Sequence, residues 1–196
     1  MNKHVVKFLK EWGIPLGIFL VLYFTGWYRP VVAFGQRIIL STGIIKPDTS
    51  IDDDDNYPVT DYQWTLQTLD GQPVPFEQFR GKVVFLNFFA TWCPPCIAEM
   101  PGIQALYDSE ASEDVVFIIL SRDDSREKPR KFMADKGYTL PVFMAAGPTP
   151  SVFQGNVLPT TYIISPRGEI ISRHSGMADY NNEKVKDLLR QLSDRL

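Results

Sequence analysis

The sequence predicts an α/β domain, preceded by an apolar N-terminal helix. Three observations carry that expectation. Two runs, Val83–Phe89 and residues 115–120, are apolar on both alternating faces, as strands covered on both sides of a sheet must be. Helical periodicity follows each of them, and a last amphipathic helix closes the chain. Residues 12–28 contain no charged side chain at all.

Taken in order, residues 1–11 carry Lys3, Lys7 and Lys10 ahead of the apolar stretch. A bilayer-spanning helix typically needs about 20 apolar residues, so residues 12–28 lie at the short end. Trp12, Trp27 and Tyr28 sit at its two ends, as interfacial anchors do. Positive charge on the N-terminal side predicts a single-pass anchor in the cytoplasmic (inner) membrane. Residues 1–11 are then cytoplasmic and the remainder lies on the periplasmic or extracytoplasmic side. Two rival readings stand beside it. One is a cleaved signal peptide, with a weak small-residue site at Val31-Val32-Ala33. The other is a buried helix, against which Gly13, Pro15, Gly17 and Gly26 count.

Residues 29–61 read as an interfacial segment and an acidic linker. Within the first part, Val31, Phe34, Ile38 and Ile45 share a helical face opposite Gln36 and Arg37. In the second, Pro47, Pro58 and the run Asp52 to Asp55 predict a solvated tether, because adjacent like charges extend a chain. A calcium loop is the rival there, but the run lacks the glycine and the distal glutamate of one.

The folded domain is expected over residues 62–196. Residues 62–66 alternate as an edge strand, and Asp70-Gly71 marks a hairpin turn. Residues 74–79 suggest a short helical turn before the strand Val83–Phe89. A helix runs to about Asp108 and residues 115–120 form the next strand. Residues 125–136 form a helix stopped by Gly137. Residues 141–145 and 161–164 are strands. Pro166-Arg167-Gly168 turns the second of these into a hairpin with residues 169–172. The terminal helix, residues 181–192, places Val185, Leu188, Leu189 and Leu192 on one face. Strand-helix-strand units followed by a hairpin and a helix predict three layers, α/β/α, with an N-terminal β-hairpin.

Composition narrows the function. Net charge is −3, but residues 1–46 hold six Lys/Arg against one Glu, and residues 47–61 hold six Asp and no base. The remaining domain is mildly acidic, which gives no footprint for nucleic acid. The chain has two cysteines, so a disulfide within it joins Cys93 to Cys96. So short a loop restrains an unfolded chain little, which argues for chemistry over stapling. A C-x-x-C pair between a strand and a helix is the arrangement of a dithiol/disulfide redox site. Cys93 falls at the helix N-terminus, where unpaired N–H groups and the helix dipole favour a thiolate, and is the expected nucleophile. Cys96 shares an inward face with Met100, Ile103 and Tyr107, and is the expected resolving thiol. Pro94 and Pro95 remove two N–H donors and tune the dithiol/disulfide balance. Trp92 is expected to shield the thiols and contact substrate. Structural zinc is disfavoured, since His4 and His174 are the only histidines. No metal and no cofactor beyond the Cys93–Cys96 pair is expected.

The stretch from Val84 through Ala90-Thr91-Trp92-Cys93-Pro94-Pro95-Cys96, with Glu99 and Pro101 after it, resembles the thioredoxin superfamily. Within it, the chain resembles the membrane-anchored TlpA/ResA-like thiol-disulfide oxidoreductases. Leu158-Pro159-Thr160-Thr161 is similar to that family's cis-proline loop, Asp70-Gly71 to its N-terminal hairpin, and Ser165-Pro166-Arg167-Gly168 to its late turn. The resemblance implies a cis Pro159 with the Leu158 backbone beside Cys93, ready to pair with an extended substrate. It also implies a proton-handling carboxylate at Glu99. Asn87 departs from thioredoxin itself, which has a buried aspartate at the matching place.

The activity so implied is reduction of disulfides in client proteins, such as apocytochrome c, with re-reduction by a membrane thiol donor. Disulfide oxidation competes with it. So does a peroxiredoxin-like peroxidase, which wants Pro-x-x-x-Thr-x-x-Cys, whereas Thr91 stands two residues before Cys93. A non-catalytic metallochaperone would use C-x-x-x-C, one residue longer than the spacing found.

Overall fold

The computed structural model describes residues 12–25, 28–41, 45, 47, 57–155 and 157–194. The lysine-bearing residues 1–11, Trp27, and the run Asp52 to Asp55 lie outside them, so the expectations placed there concern residues not described.

One mixed sheet of seven strands organises the domain: β1 (Thr65–Thr68), β2 (Pro73–Pro75), β3 (Val83–Phe89), β4 (Val115–Ser121), β5 (Val142–Ala145), β6 (Thr160–Ile164) and β7 (Ile170–Ser175). Their order across the sheet is β2-β1-β5-β4-β3-β6-β7. The centre, β3-β4-β5, is parallel, with Val83 level with Val115 and Phe89 with Ser121. Every residue of β3 is buried, which accounts for its unbroken apolar run and makes Asn87 the conspicuous exception.

Helices α3 (Pro94–Glu110), α4 (Glu127–Lys136) and α5 (Glu183–Ser193) follow the parallel strands and the late hairpin. α5 is capped by Asn182, whose side chain accepts from the Val185 N–H, and it buries the four residues that its periodicity predicted. Gly137 ends α4 at φ +67°, a left-handed conformation that favours glycine. α3 runs through Pro101 and ends two residues beyond the expected position.

The expectation of helical layers on both faces needs correction. α3, α4 and α5 all contribute to the same core, with Cys96, Met100, Ile103, Met133 and Leu189 buried together. The second face is covered without an α-helix: Tyr62, Trp64, Phe76, Phe79 and Phe153 pack there against Leu86, Phe88 and Tyr162. Phe76–Phe79 and Ser151–Phe153 are 3-10 turns. The physical reason is handedness. The crossovers β3-α3-β4 and β4-α4-β5 step the same way along the sheet, so right-handed connections put both helices on one side. The first strand also starts later than residue 62. Tyr62 and Trp64 are aromatic anchors of the second face, and pairing begins at Thr65. Residues ahead of it are already attached, since the Thr60 N–H donates to the Gly168 carbonyl and the Ile170 N–H to the Pro58 carbonyl.

Two helices precede the domain, α1 (Ile14–Thr25) and α2 (Tyr28–Ser41). Most of the large apolar side chains described on α1, among them Ile14, Leu16, Val21 and Phe24, are exposed. Among the described residues, no helix is long and apolar enough to cross a membrane. α2 lies against the domain. Ala33 and Leu40 are buried with Ala98 of α3, while Phe34 points outward. The small Ala33 and Ala98 let the two helices approach closely. Beyond α2, the Ile45 carbonyl accepts from the Asp179 N–H.

Candidate active site

The site forms where the C-terminal ends of β3 and β4 meet the N-terminus of α3. At Phe89 the ladder stops and the chain turns. The Cys93 N–H donates to the Ala90 carbonyl at 3.1 Å, closing a turn that carries Thr91 and Trp92 at its middle. Trp92 stands out from this turn, 46% exposed. Cys93 then adopts extended geometry as the N-cap of α3, and its sulfur accepts from the Cys96 N–H at 3.3 Å. Pro94 and Pro95 occupy the first two helical positions, where a missing N–H costs nothing because no carbonyl precedes it in the helix.

Cys93 and Cys96 are joined by a disulfide, with Cα atoms 5.3 Å apart. Cys96 is 0% exposed and Cys93 4%. Cys96 is inward as expected, but Cys93 is buried as well rather than exposed. Among the described residues, no cluster of three His, Cys, Asp or Glu is arranged to hold a metal ion.

The Leu158-Pro159 peptide is cis. β6 runs antiparallel to β3 with Thr160 level with Phe88, so Pro159 lies at the height where β3 gives way to the Cys93 turn. Leu158, half-buried, packs against the core that contains both cysteines. The Pro159 carbonyl is engaged by the Gly176 N–H.

Glu99, one turn after Cys96 on α3, is 2% exposed. One carboxylate oxygen accepts from Asn87 Nδ2 at 2.8 Å and the other from the Ala178 N–H at 3.3 Å. Burial pushes its carboxyl up to about 8, against the smaller opposing pull of these two hydrogen bonds. Burial also holds the neighbouring Tyr180 hydroxyl well above its ordinary range, and the Glu99 charge adds to that. Asn87 therefore has a role that its inability to take a proton does not reveal. It bridges Glu99 and Thr161 Oγ1, the latter at 2.9 Å, and so ties α3 to β6. A cleft of about 150 Å³ adjoins Glu99, walled by Arg37 and Leu40 of α2, by Pro101 and Gly102, and by Asp179. The only carboxylate buried beside the pair on α3 thus has a neighbouring solvent space.

Residue chemistry at short range did not announce Asn87, Ala178 or Asp123, each of which holds a functional group from a distant part of the chain. The one sequence signal was the polar residue inside the apolar run of β3. Asp123 accepts from both the N–H and the hydroxyl of Thr91.

An N-capping cysteine, a buried partner one turn on and a cis-proline loop alongside define a thioredoxin-like thiol-disulfide oxidoreductase. The chain belongs to the AhpC/TSA family, whose model matches residues 59–173. A thiol-disulfide oxidoreductase ResA from Halalkalibacterium halodurans is 31% identical over 129 residues, covering 65% of this chain and 73% of the relative. The thioredoxin-like protein YneN of Bacillus subtilis is 28% identical and aligns over 92% of this chain and 99% of its own. Among solved structures, StoA from Bacillus subtilis superposes with a TM-score of 0.55 at 22% identity, covering 67% of this chain and 98% of that one. A thioredoxin-family thiol:disulfide interchange protein from Chlorobium tepidum gives 0.57 at 24% identity, covering 71% and 99%. These two likenesses establish the fold.

Proposed function

We propose that the protein is a membrane-anchored, extracytoplasmic reductase of client-protein disulfides. The observation that carries the exchange chemistry is the Cys93–Cys96 pair at the N-terminus of α3, with the buried Glu99 one turn beyond as a proton acceptor. In the reduced enzyme, the Cys93 thiolate attacks one sulfur of a client disulfide. The client S–S bond breaks, a Cys93–client disulfide forms, and one client thiolate leaves and is protonated. Cys96 passes its proton to the Glu99 carboxylate and attacks the Cys93 sulfur. The second client sulfur leaves as a thiolate, which takes up a proton from water. The client gains two electrons and two protons, and the enzyme ends as the Cys93–Cys96 disulfide. Glu99 returns its proton to solvent. A membrane thiol donor restores the dithiol by the same exchange in reverse.

An apocytochrome c is a client of fitting chemistry, since its thiols must be free before haem attachment. The Leu158-Pro159 loop and the exposed Trp92 offer backbone and apolar contact without demanding a particular side chain. Equilibration with glutathione buffers tests the direction. A potential well below about −200 mV is expected, and a value near the −120 mV of strong oxidants overturns reduction in favour of oxidation.

Anchoring rests on the uncharged residues 12–28 with Trp12 and Trp27 at the ends, and on the exposed apolar side chains of α1. The chain expressed in a bacterial host should stay with the membranes through alkaline extraction and yield its domain to protease added from outside. Release into the alkaline supernatant contradicts the anchor while leaving the redox reading intact.

A further inference from the structure

Asp123 is a buried carboxylate with no part in the exchange described above. It is 6% exposed, two residues past the end of β4. Its contacts all point at the active-site turn or stabilise its own position. Oδ1 accepts from Thr91 Oγ1 at 2.7 Å, and the Thr91 N–H is shared between Oδ2 at 3.1 Å and Oδ1 at 3.3 Å. On the other side, Ser121 Oγ donates to Oδ2 at 2.8 Å and accepts from the Asp123 N–H at 3.1 Å. The Arg122 N–H donates to the Phe89 carbonyl at 2.8 Å, extending the β3-β4 ladder by one rung. That rung brings Asp123 level with Thr91.

Thr91 occupies the second position of the turn closed by the Cys93 N–H, and Cys93 is both the fourth residue of that turn and the cap of α3. Whatever fixes Thr91 therefore fixes the place from which the nucleophilic sulfur is presented. The turn itself offers one backbone hydrogen bond, whereas the Asp123 carboxylate binds both polar groups of Thr91 to a buried point on the neighbouring strand. We propose that Asp123 is a positioning residue of the active site, acting through Thr91 to hold Cys93 in attacking geometry. No ion pair among the described residues includes Asp123, so hydrogen-bond shape rather than charge pairing performs the task. Asparagine reproduces that shape. Its oxygen, in the place of Oδ2, accepts from the Thr91 N–H and from Ser121 Oγ, and its Nδ2, in the place of Oδ1, donates to Thr91 Oγ1.

The test is a mutant cycle on the full-length protein, read by the rate at which iodoacetamide alkylates Cys93 in the reduced, folded state and by kcat/KM for insulin reduction. Displacement of a reacting atom by a fraction of an ångström to one ångström costs up to about 100-fold, so Asp123→Ala is expected to lower both by about tenfold. Asp123→Asn should recover most of that loss, which a requirement for the negative charge would forbid. Thr91→Val should slow alkylation, and the double variant with Asp123→Ala should be no slower than Asp123→Ala alone, because both remove one shared interaction. Additive effects, or wild-type alkylation in a folded Asp123→Ala protein, overturn the proposal. If Asp123→Ala does not fold, Thr91→Val decides: slowed alkylation supports the clamp, and an unchanged rate overturns it.

Discussion

Replacing Cys93 by serine is expected to abolish disulfide exchange, lowering the rate of insulin reduction at least about 1,000-fold, to the uncatalysed background. A hydroxyl at this position cannot ionise near neutral pH, so the attacking anion is lost whatever the helix N-terminus contributes. Cys96 cannot replace it. It is fully buried on the inward face of α3, the face it shares with Met100 and Ile103, and has no path to a folded client. Fold and stability of the reduced domain should hardly change, since oxygen replaces sulfur at a cap whose preferred residues include serine. Insulin reduction by Cys93→Ser within tenfold of wild type contradicts the assignment.

The second large effect belongs to Glu99→Gln, and its sign follows from burial. The folded-state pKa, about 8, lies above the ordinary 4.5, so between those values the folded state holds a proton that the unfolded state has released. The stability contributed by this group is therefore complete below about pH 4.5 and is lost as pH rises through 8. Glutamine removes that dependence. Urea denaturation of the oxidised protein should show wild type losing stability from pH 5 to pH 9, a loss of the order of several kcal/mol that Glu99→Gln largely lacks. Near-neutral pH leaves a minority of Glu99 as the carboxylate that takes the Cys96 proton, a fraction that grows as pH rises toward 8, and a general base of matched pKa typically contributes about 100-fold or more. Turnover of Glu99→Gln is expected to fall by about that factor and to lose the inflection near pH 8 from its rate profile. An unchanged rate and pH profile remove Glu99 from the mechanism.

Much of the domain was legible because its signals are local. The all-apolar β3, the Asn182 cap with its four inward residues on α5, and Gly137 after α4 each follow from a few adjacent side chains. The C-x-x-C pair at a strand-to-helix junction was legible for the same reason. What the sequence hid depends on pairs far apart in the chain. Asn87 lies 12 residues from Glu99 and 74 from Thr161, and only the sheet brings the three together. Thr91 and Asp123 are 32 residues apart and meet because β3 and β4 run parallel in register. The sidedness of the helices was likewise hidden, because it depends on strand order rather than on any one element. On α2, the apolar residues Phe34 and Ile38 were legible as one face, but the face seated on α3 is the smaller one of Ala33 and Leu40. Their partner, Ala98, gives no periodic signal of its own.

The central claim is a division of labour, in which Cys93 attacks and Cys96 resolves. Cys96→Ser tests it most directly, because a serine at the resolving position leaves the mixed disulfide with no internal route to break down. Mass spectrometry of the adducts formed by this variant with extracytoplasmic proteins should find client cysteines bonded to Cys93, and no such adducts when Cys93 is also replaced. Adducts that persist without Cys93, or a Cys96→Ser protein that accumulates none and still reduces insulin at the wild-type rate, contradict the account.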